Sequence, residues 1–125
     1  MTPFGARLRE LRARRGVSLK EMAEAVGVTP TYLSALEHGR RGRPSWYFVQ
    51  HVIQYFNVIW DDAEELQTLA ELSHPRIVID TAGLSPQATL LANRLARCVS
   101  DLPDGRIEAL LAMLDADPGS EPERF

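Results

Sequence analysis

The sequence predicts an all-α fold, in which five helices over residues 1–73 are followed by a short strand or linker and a carboxy-terminal helical hairpin. Two observations carry this prediction. Apolar residues recur three and four positions apart in successive segments, and Ser or Thr caps, often followed by Pro, precede those segments. We therefore divide the chain into a domain at 1–73, a second region at 74–116 and a flexible tail at 117–125.

The first helix is predicted to begin at Thr2 and Pro3, because threonine caps a helix and proline suits its first turn. Phe4, Leu8 and Leu11 then form an apolar stripe on one face. The opposite face is rich in arginine, which fits either an approach to phosphate or simple solvation.

The next two helices are short and are joined by a tight turn. Ser18 and Glu21 have the spacing of a capping box, in which each side chain accepts a hydrogen bond from the other residue's backbone N–H. Gly27 supplies the positive φ that ends the second helix, and Thr29 followed by Pro30 starts the third. Because isolated helices of this length are marginal in water, we expect them to share a core.

The outer face of the third helix is small, polar and uncharged. Leu33 and Leu36 face inward at helical spacing. The residues left outside are Thr31, Tyr32, Ser34, Ala35 and His38. A helix that enters a DNA groove needs a slim face that forms hydrogen bonds and carries no negative charge. The pattern therefore favours a helix that reads DNA.

Charge is divided unevenly along the chain. The net charge is -3, but residues 1–45 carry nine basic and four acidic side chains, a net charge of +5. The remaining 80 residues carry five basic and thirteen acidic side chains, a net charge of -8. This asymmetry favours one surface that meets a polyanion and another that avoids it. Taken alone, a solvated surface of mixed charges explains it about equally well.

The loop after Gly39 contains Arg40, Arg41 and Arg43. Guanidinium groups beside a DNA-reading helix are well placed for bidentate phosphate contacts, so we predict that this loop clamps the DNA backbone. Ser45 then caps a fourth helix, whose aromatic residues we interpret as core or interface filling rather than as a base-stacking platform. These residues are Trp46, Tyr47, Phe48, Tyr55 and Phe56.

Region 74–116 opens with a β-branched segment at 76–80, bounded by proline and followed by a glycine turn, which is typical of a strand. The region offers no second strand. Pairing with the same segment of a second subunit around a twofold axis and an extended linker both stay open. Two helices follow, and they are too small to fold alone. We predict dimerisation through Ile77, Val78, Ile79, Leu91 and Leu95.

Cys98 lies on the apolar stripe of the first of these two helices. We interpret it as a small core residue, with a redox-sensing thiol as the alternative. As the single cysteine, it excludes an internal disulfide.

Neither catalytic nor metal-binding spacing is found in the sequence. The three histidines lie far apart, and there is no paired-cysteine motif, glycine-rich phosphate loop or nucleophile motif. Asp61 and Asp62 need no metal to explain them, because acidic residues at a helix start complement its dipole. We predict a chain without enzymatic activity, cofactor or metal, and, since neither a membrane span nor a signal peptide is recognised, a soluble cytoplasmic protein that joins the nucleoid when bound.

Residues 3 to 60 resemble the phage repressor and Cro-like helix-turn-helix regulators, the XRE family. The matching elements are Arg12, Gly16, Ser18, Ala23, Gly27-Val28-Thr29, Leu33, Leu36-Glu37-x-Gly39 and Arg43-Pro44. The resemblance implies an ion pair between Arg12 and Glu37 that ties the first helix to the third.

The resemblance also implies which residues meet DNA. Base edges are approached by Pro30, Thr31 and Ala35, with Thr29, Tyr32 and Ser34 nearer the flanks. Phosphates are met by Ser18, Leu19, Lys20, Tyr32, His38 and Arg43, with Arg40 and Arg41 beside them. Family members often carry Gln or Arg at the base-reading positions, and this chain carries neither. Thymine-methyl contacts, loop arginines and DNA shape are therefore expected to contribute more than usual.

The function we predict from the sequence is a homodimeric regulator that binds double-stranded DNA sequence-specifically through helix 30–38, and that represses rather than activates. Half-sites of such dimers lie one helical turn, about 34–36 Å, apart. Two other interpretations stay open. One is an antitoxin-type autoregulator whose carboxy-terminal region binds a partner protein, and the other is a helix-turn-helix that no longer binds DNA.

Overall fold

The computed structural model of the protein describes residues 1–116. Over that range the chain forms seven α-helices, a 3-10 turn at Val99–Asp101 and no β-strand. The helices are α1 (Pro3–Arg15), α2 (Leu19–Val26), α3 (Pro30–Glu37), α4 (Trp46–Tyr55), α5 (Trp60–Glu71), α6 (Pro86–Cys98) and α7 (Asp104–Ala116). The all-helical class predicted from the sequence is confirmed. The predicted tail at 117–125 lies outside the described residues.

The chain divides into two units, Met1–Val78 and a second that begins at Ile79. The first unit contains α1 to α5, and the described part of the second contains α6 and α7. The sequence placed a boundary after residue 73, whereas 74–78 group with the first unit. One reason is a close approach, because a Cβ added to Gly39 would lie 3.6 Å from Cβ of Pro75.

Local capping explains where the helices begin. The hydroxyl of Thr2 accepts a hydrogen bond from the N–H of Gly5 at 2.9 Å, and that of Ser45 accepts one from the N–H of Phe48 at 3.1 Å. The same contact recurs at Ser85 in α6. Each cap satisfies an N–H that the first helical turn leaves without a partner, so these starts follow from the sequence.

The core of the first unit lies where α1, α2, α3, α4 and α5 meet. It is built from side chains on one stripe of each helix, as expected for short amphipathic helices. Its most buried apolar members are Phe4, Leu8, Met22, Leu33, Val52 and Leu66. No helix of this unit is long enough to be stable by itself, so this shared core holds α3 in place.

Two close contacts fix α1 against its neighbours. The N–H of Thr2 donates to the carbonyl oxygen of Glu37 at 3.0 Å, and a Cβ added to Gly5 would lie 2.3 Å from that same oxygen. The buried hydroxyl of Ser73 accepts from the N–H of Phe4 at 2.9 Å and donates to the carbonyl oxygen of Leu69 at 2.5 Å. Helix α1 is therefore joined to the end of α3 and to the end of α5.

The interpretation of the α4 aromatics as core filling is wrong for Trp46 and Tyr47, and interface filling stays a prediction for these two residues. Trp46 is 61% exposed and Tyr47 is 72% exposed, whereas Phe48 and Phe56 are buried. The reason is helical phase. The buried stripe of α4 runs through Phe48, Val49 and Val52, which leaves the first two residues of the helix on its outer side.

Residues 76–80 form no strand in the part of the chain that the structure describes. Without a neighbouring strand, their backbone groups have no ladder to join. The segment runs into a turn in which a carboxylate oxygen of Asp80 accepts from the N–H of Ala82 at 2.9 Å. Within the described chain the segment is a linker, and pairing with a second copy stays a prediction.

Helices α6 and α7 contain no buried residue over the described range. Cys98, the last residue of α6, is exposed, so its interpretation as a core residue is wrong. The residues predicted for dimerisation are exposed too, namely Ile77, Val78, Ile79, Leu91 and Leu95. None of the described helices is long and apolar enough to cross a membrane.

Candidate nucleic-acid interface

Helices α2 and α3 form a helix-turn-helix. Helix α2 ends at Gly27, whose φ of 78° lies in the left-handed region that favours glycine. The N–H of Val28 then returns to the carbonyl oxygen of Ala23 at 2.9 Å. The Thr29 hydroxyl caps α3 by accepting from the N–H of Tyr32 at 3.0 Å. The turn is therefore fixed by its own hydrogen bonds and orients α3 against α2.

The outer face of α3 is the one that the sequence predicts. Leu33 and Leu36 are buried, with exposures of 0% and 3%. Thr29, Pro30 and Thr31 are exposed, and Ser34 and Ala35 are half-buried. The five predicted base-reading residues thus lie at or next to the surface, and the face they form carries no charge.

Glu37 is the only carboxylate of α3, and it is kept away from that face. It is 2% exposed, and its carboxylate pairs with the guanidinium of Arg12, whose side chain is 13% exposed. These are the two residues that the resemblance pairs. Burial of an unpaired carboxylate would be costly, so Arg12 is what allows Glu37 to sit inside. The outer surface of α3 consequently does not repel a phosphate.

The arginine loop begins against the carboxy-terminal end of α3. The N–H of Arg40 donates to the carbonyl oxygen of Ala35 at 2.9 Å. The guanidinium carbon of Arg41 lies 5.3 Å from the ring centroid of Tyr32. Arg40, Arg41 and Arg43 are exposed and form no ion pair with any residue in 1–116. The loop therefore presents three cationic groups beside the uncharged face.

Four other residues predicted to meet phosphate lie at the start of α2 and at the end of α3. Ser18, Leu19 and Lys20 lie at the start of α2, where Ser18 and Lys20 are exposed and Leu19 is half-buried. His38 is exposed at the end of α3, and its Nδ1 lies 2.9 Å from the carbonyl oxygen of Ser34. Because a carbonyl oxygen can only accept, this hydrogen bond requires a proton on Nδ1.

Glu21 stabilises the start of α2. Its carboxylate accepts from the N–H of Ser18 at 2.9 Å, and its own N–H donates to the Ser18 hydroxyl at 3.0 Å. The backbone hydrogen bond and then the side-chain hydrogen bond with Ser18 lower the pKa of Glu21 below its ordinary 4.5. The capping box predicted from the sequence is therefore complete, and its carboxylate is ionised at neutral pH.

Several arginines of α1 are already engaged within the molecule. Arg7 lies 2.5 Å from Glu65, and Arg14 lies 2.6 Å from Glu10. Arg15 donates to the carbonyl oxygen of Phe56 at 2.6 Å, at the end of α4. These contacts favour solvation and packing over phosphate binding for this face. Sequence reasoning did not find the Arg15 contact, because nothing local in residues 12–16 points to the end of α4.

Comparison with known proteins places the first unit in a family. A family model described as a helix-turn-helix domain matches residues 3–69, more than half of the chain. SinR, an HTH-type transcriptional regulator, is 37% identical over 55 residues in both Bacillus subtilis (strain 168) and Bacillus licheniformis, which is 44% of this chain and 50% of each relative. The chain therefore spans about half the length of these curated relatives.

Two further matches are weaker. The uncharacterised HTH-type transcriptional regulator RghRB of Bacillus subtilis (strain 168) is 41% identical over 44 residues, 35% of this chain and 32% of that protein. A solved complex of SinR and SinI aligns with a TM-score of 0.43 and 24% identity, over 93% of this chain and 98% of that chain.

The relatives are transcriptional regulators rather than enzymes, which agrees with the prediction made from the sequence. Together with the helix-turn-helix geometry of α2 and α3 and the family match over residues 3–69, they identify the chain as a member of the XRE family of DNA-binding helix-turn-helix transcriptional regulators.

Proposed function

We propose that this regulator is a homodimeric repressor that binds double-stranded DNA sequence-specifically, with α3 in the major groove. The observation that carries the proposal is the uncharged outer face of α3 next to the arginine loop. Major-groove entry requires a face without negative charge, and phosphate contacts on both sides of the groove require cations near it. The burial of Glu37 and the exposure of Arg40, Arg41 and Arg43 satisfy both requirements.

Base reading is assigned to Thr29, Pro30, Thr31, Ser34 and Ala35. Thr31 is exposed, and its hydroxyl can donate to or accept from a base edge, while Pro30 and Ala35 can contact thymine methyl groups. The chain offers no glutamine, asparagine or arginine on this face for bidentate reading of adenine or guanine. Sequence-dependent DNA shape, read through the spacing of the phosphate contacts, supplies the remaining specificity.

Phosphate binding is assigned to three parts of the interface, namely the start of α2, helix α3 and the loop that follows it. At the start of α2, the phosphate-binding residues are Ser18, Leu19 and Lys20. In α3 and at its end they are Tyr32 and His38, and in the loop they are Arg40, Arg41 and Arg43. Each phosphate that an arginine neutralises releases counterions and contributes about 0.9 to the slope of log affinity against log salt.

Two substitutions separate phosphate binding from base reading. Arg43→Ala is expected to weaken binding to all duplexes to a similar degree and to reduce the salt slope by about 0.9, since one phosphate contact is lost. Thr31→Ala is expected to change the preference among duplexes by about 0.5–1.5 kcal/mol at one base pair, the net size of a single hydrogen bond, and to leave the salt slope unchanged. Selection from random duplexes, followed by affinity measurements over a salt series, provides both readouts.

Arg106→Ala in α7 is a matched control, because it removes an exposed arginine from the second unit. It is expected to leave both affinity and slope unchanged. The proposed mode of binding is wrong if Arg43→Ala and Thr31→Ala behave like this control.

Dimerisation is supported by the exposed apolar residues of the second unit. Leu91 is 66% exposed and Leu95 is 37% exposed on α6, and Leu111 and Leu114 of α7 are 55% and 69% exposed. So many exposed leucines over two short helices are typical of a surface that another chain covers. A twofold dimer would also match half-sites about 34–36 Å apart.

The same surface supports the second candidate function, an autoregulator that binds a different partner protein there. Light scattering of the purified protein decides between the two. A mass of two chains that falls to one on Leu91→Asp supports the dimer. A single-chain mass that does not change with concentration would instead favour the other partner.

A further inference from the structure

We propose that Tyr32 is a positioning residue for Arg41, and that its ring, rather than its hydroxyl, is what DNA binding requires. The inference rests on the proposed function, because it concerns how one of the loop arginines reaches DNA. It changes the role of Tyr32, which the family resemblance assigns to direct phosphate contact.

The first observation is the contact itself. The guanidinium carbon of Arg41 lies 5.3 Å from the centroid of the Tyr32 ring, inside the roughly 6 Å over which a cation is attracted to an aromatic face. Arg40 and Arg43 form no such contact over residues 1–116. Among the three loop arginines, only the guanidinium of Arg41 is therefore held against an aromatic ring of α3 within residues 1–116.

The second observation is that the ring is itself fixed. Tyr32 is half-buried, and its ring meets the ring of Phe48 edge to face, with centroids 6.4 Å apart and an interplanar angle of 75°. Phe48 is 7% exposed and meets Phe4 in the same manner at 6.4 Å. A row of three rings thus runs from the core to the surface, and Arg41 lies at its outer end.

The third observation is that the loop combines glycines with long, exposed arginine side chains. Gly39 and Gly42 flank Arg40 and Arg41, and the arginine side chains are long and exposed. Fixing such a side chain on binding costs conformational entropy. A ring that already holds the guanidinium reduces that cost, because the group meets DNA in an orientation that it adopts beforehand.

The position of the contact between Tyr32 and Arg41 suits it to phosphate binding. Tyr32 follows Thr31 directly and lies in the first turn of α3, so Arg41 is held at the flank of the base-reading face. A cation fixed there is suited to the phosphates that border the groove into which α3 enters. The Tyr32 hydroxyl donates no hydrogen bond to any residue within 1–116, so the contact described uses the ring alone.

The central test compares Tyr32→Leu with Tyr32→Phe by affinity for the selected duplex over a salt series. Tyr32→Leu removes the ring and is expected to weaken binding about two- to fivefold, the size of an exposed cation–π contact, and to lower the salt slope toward that of Arg41→Gln. Tyr32→Phe keeps the ring and is expected to retain the affinity and the salt slope of the wild type. If Tyr32→Phe binds as weakly as Tyr32→Leu, the hydroxyl is the required group and the proposal is overturned.

A double-mutant cycle adds a second criterion. With Arg41→Gln already present, Tyr32→Leu should cost little more, because the group that the ring positions is gone. Additive losses would contradict the proposal. Tyr55→Leu is the control for simple loss of packing, since Tyr55 is also half-buried and meets Phe56 edge to face, with centroids 4.8 Å apart. It should leave affinity unchanged.

A measurement on the free protein separates this proposal from the proposed function. The ring should shift the NMR signals of the Arg41 side-chain protons in the wild type and in Tyr32→Phe, and the shift should vanish in Tyr32→Leu. If the wild type shows no such shift, the positioning role is wrong even where DNA binds. If the shift is present and no duplex binds, the proposed function fails, and with it the use assigned to the contact.

Discussion

The two units of this chain use the same kind of helix in opposite ways. In Met1–Val78, every helix contributes side chains to one buried core. In the described part of the second unit, α6 and α7 have leucines at helical spacing and bury none of them. The comparison shows that an apolar stripe predicts a helix reliably but does not say what covers the stripe. That depends on the rest of the fold or on another chain.

The sharpest test of this contrast is one substitution made in both units. Leu8 is 0% exposed and Leu91 is 66% exposed. Leu8→Ala is expected to lower the free energy of unfolding of the first unit by about 4 kcal/mol, from lost burial and the cavity left behind. Leu91→Ala should change it by less than about 0.5 kcal/mol. Urea titration followed by backbone amide NMR signals reports the two units separately.

The contrast would fail if Leu91→Ala destabilised the first unit as much as Leu8→Ala does. If Leu91→Ala abolished a dimer without changing the unfolding of residues 1–78, the result would show that another chain covers Leu91, and the contrast between the units would be strengthened.

The second prediction concerns the buried charge of the first unit. Glu37→Gln removes the carboxylate and leaves the Arg12 guanidinium without its partner. We expect a loss of about 3 kcal/mol in unfolding free energy, near the low end for breaking a buried pair, because Arg12 keeps some contact with water. Chemical denaturation measures the loss.

Glu10→Gln is the control, because its pair with Arg14 is exposed and such pairs contribute at most about 1 kcal/mol. Equal losses for the two variants would mean that the Arg12 and Glu37 pair behaves as a surface contact.

The smallest effect is expected at Glu21. Its pKa is lowered in the folded state, so the capping box stabilises the protein above the ordinary pKa of 4.5, and this contribution is lost as the pH falls through the lower folded pKa. An NMR titration of the Glu21 carboxyl should show the lowered pKa, and Ser18→Ala, which removes the hydroxyl but keeps the backbone N–H that contributes more, should raise it only part of the way toward 4.5. An unchanged pKa in Ser18→Ala would show that the Ser18 hydroxyl does not contribute to the lowering.

Much of the fold was predictable because the signals are local. The capping residues Thr2, Ser18, Thr29 and Ser45 mark helix starts within three residues of the groups they satisfy. The inward direction of Leu33 and Leu36, and with it the outer face of α3, follows from helical spacing. The DNA contacts assigned to that face stay predictions.

The remaining features depend on contacts between residues that are distant in the sequence. Ser73 hydrogen bonds to Phe4, and Gly5 lies against the backbone of Glu37. Gly5 was the one signal available, because a glycine inside a helix costs stability and often marks a close approach. The exposure of Cys98 was not predictable, since an apolar stripe does not reveal which of its members another element covers.

The way in which Glu37 is held has an evolutionary consequence. The buried side chains that hold α3 lie on its inner side, where Leu33, Leu36 and the pair of Glu37 with Arg12 help to set its position. Thr31 lies exposed on the opposite side, and Ala35 is half-buried. If the outer face reads DNA as proposed, substitution of an exposed residue such as Thr31 should change the DNA sequence that is bound and leave the scaffold intact, in evolution and in design alike.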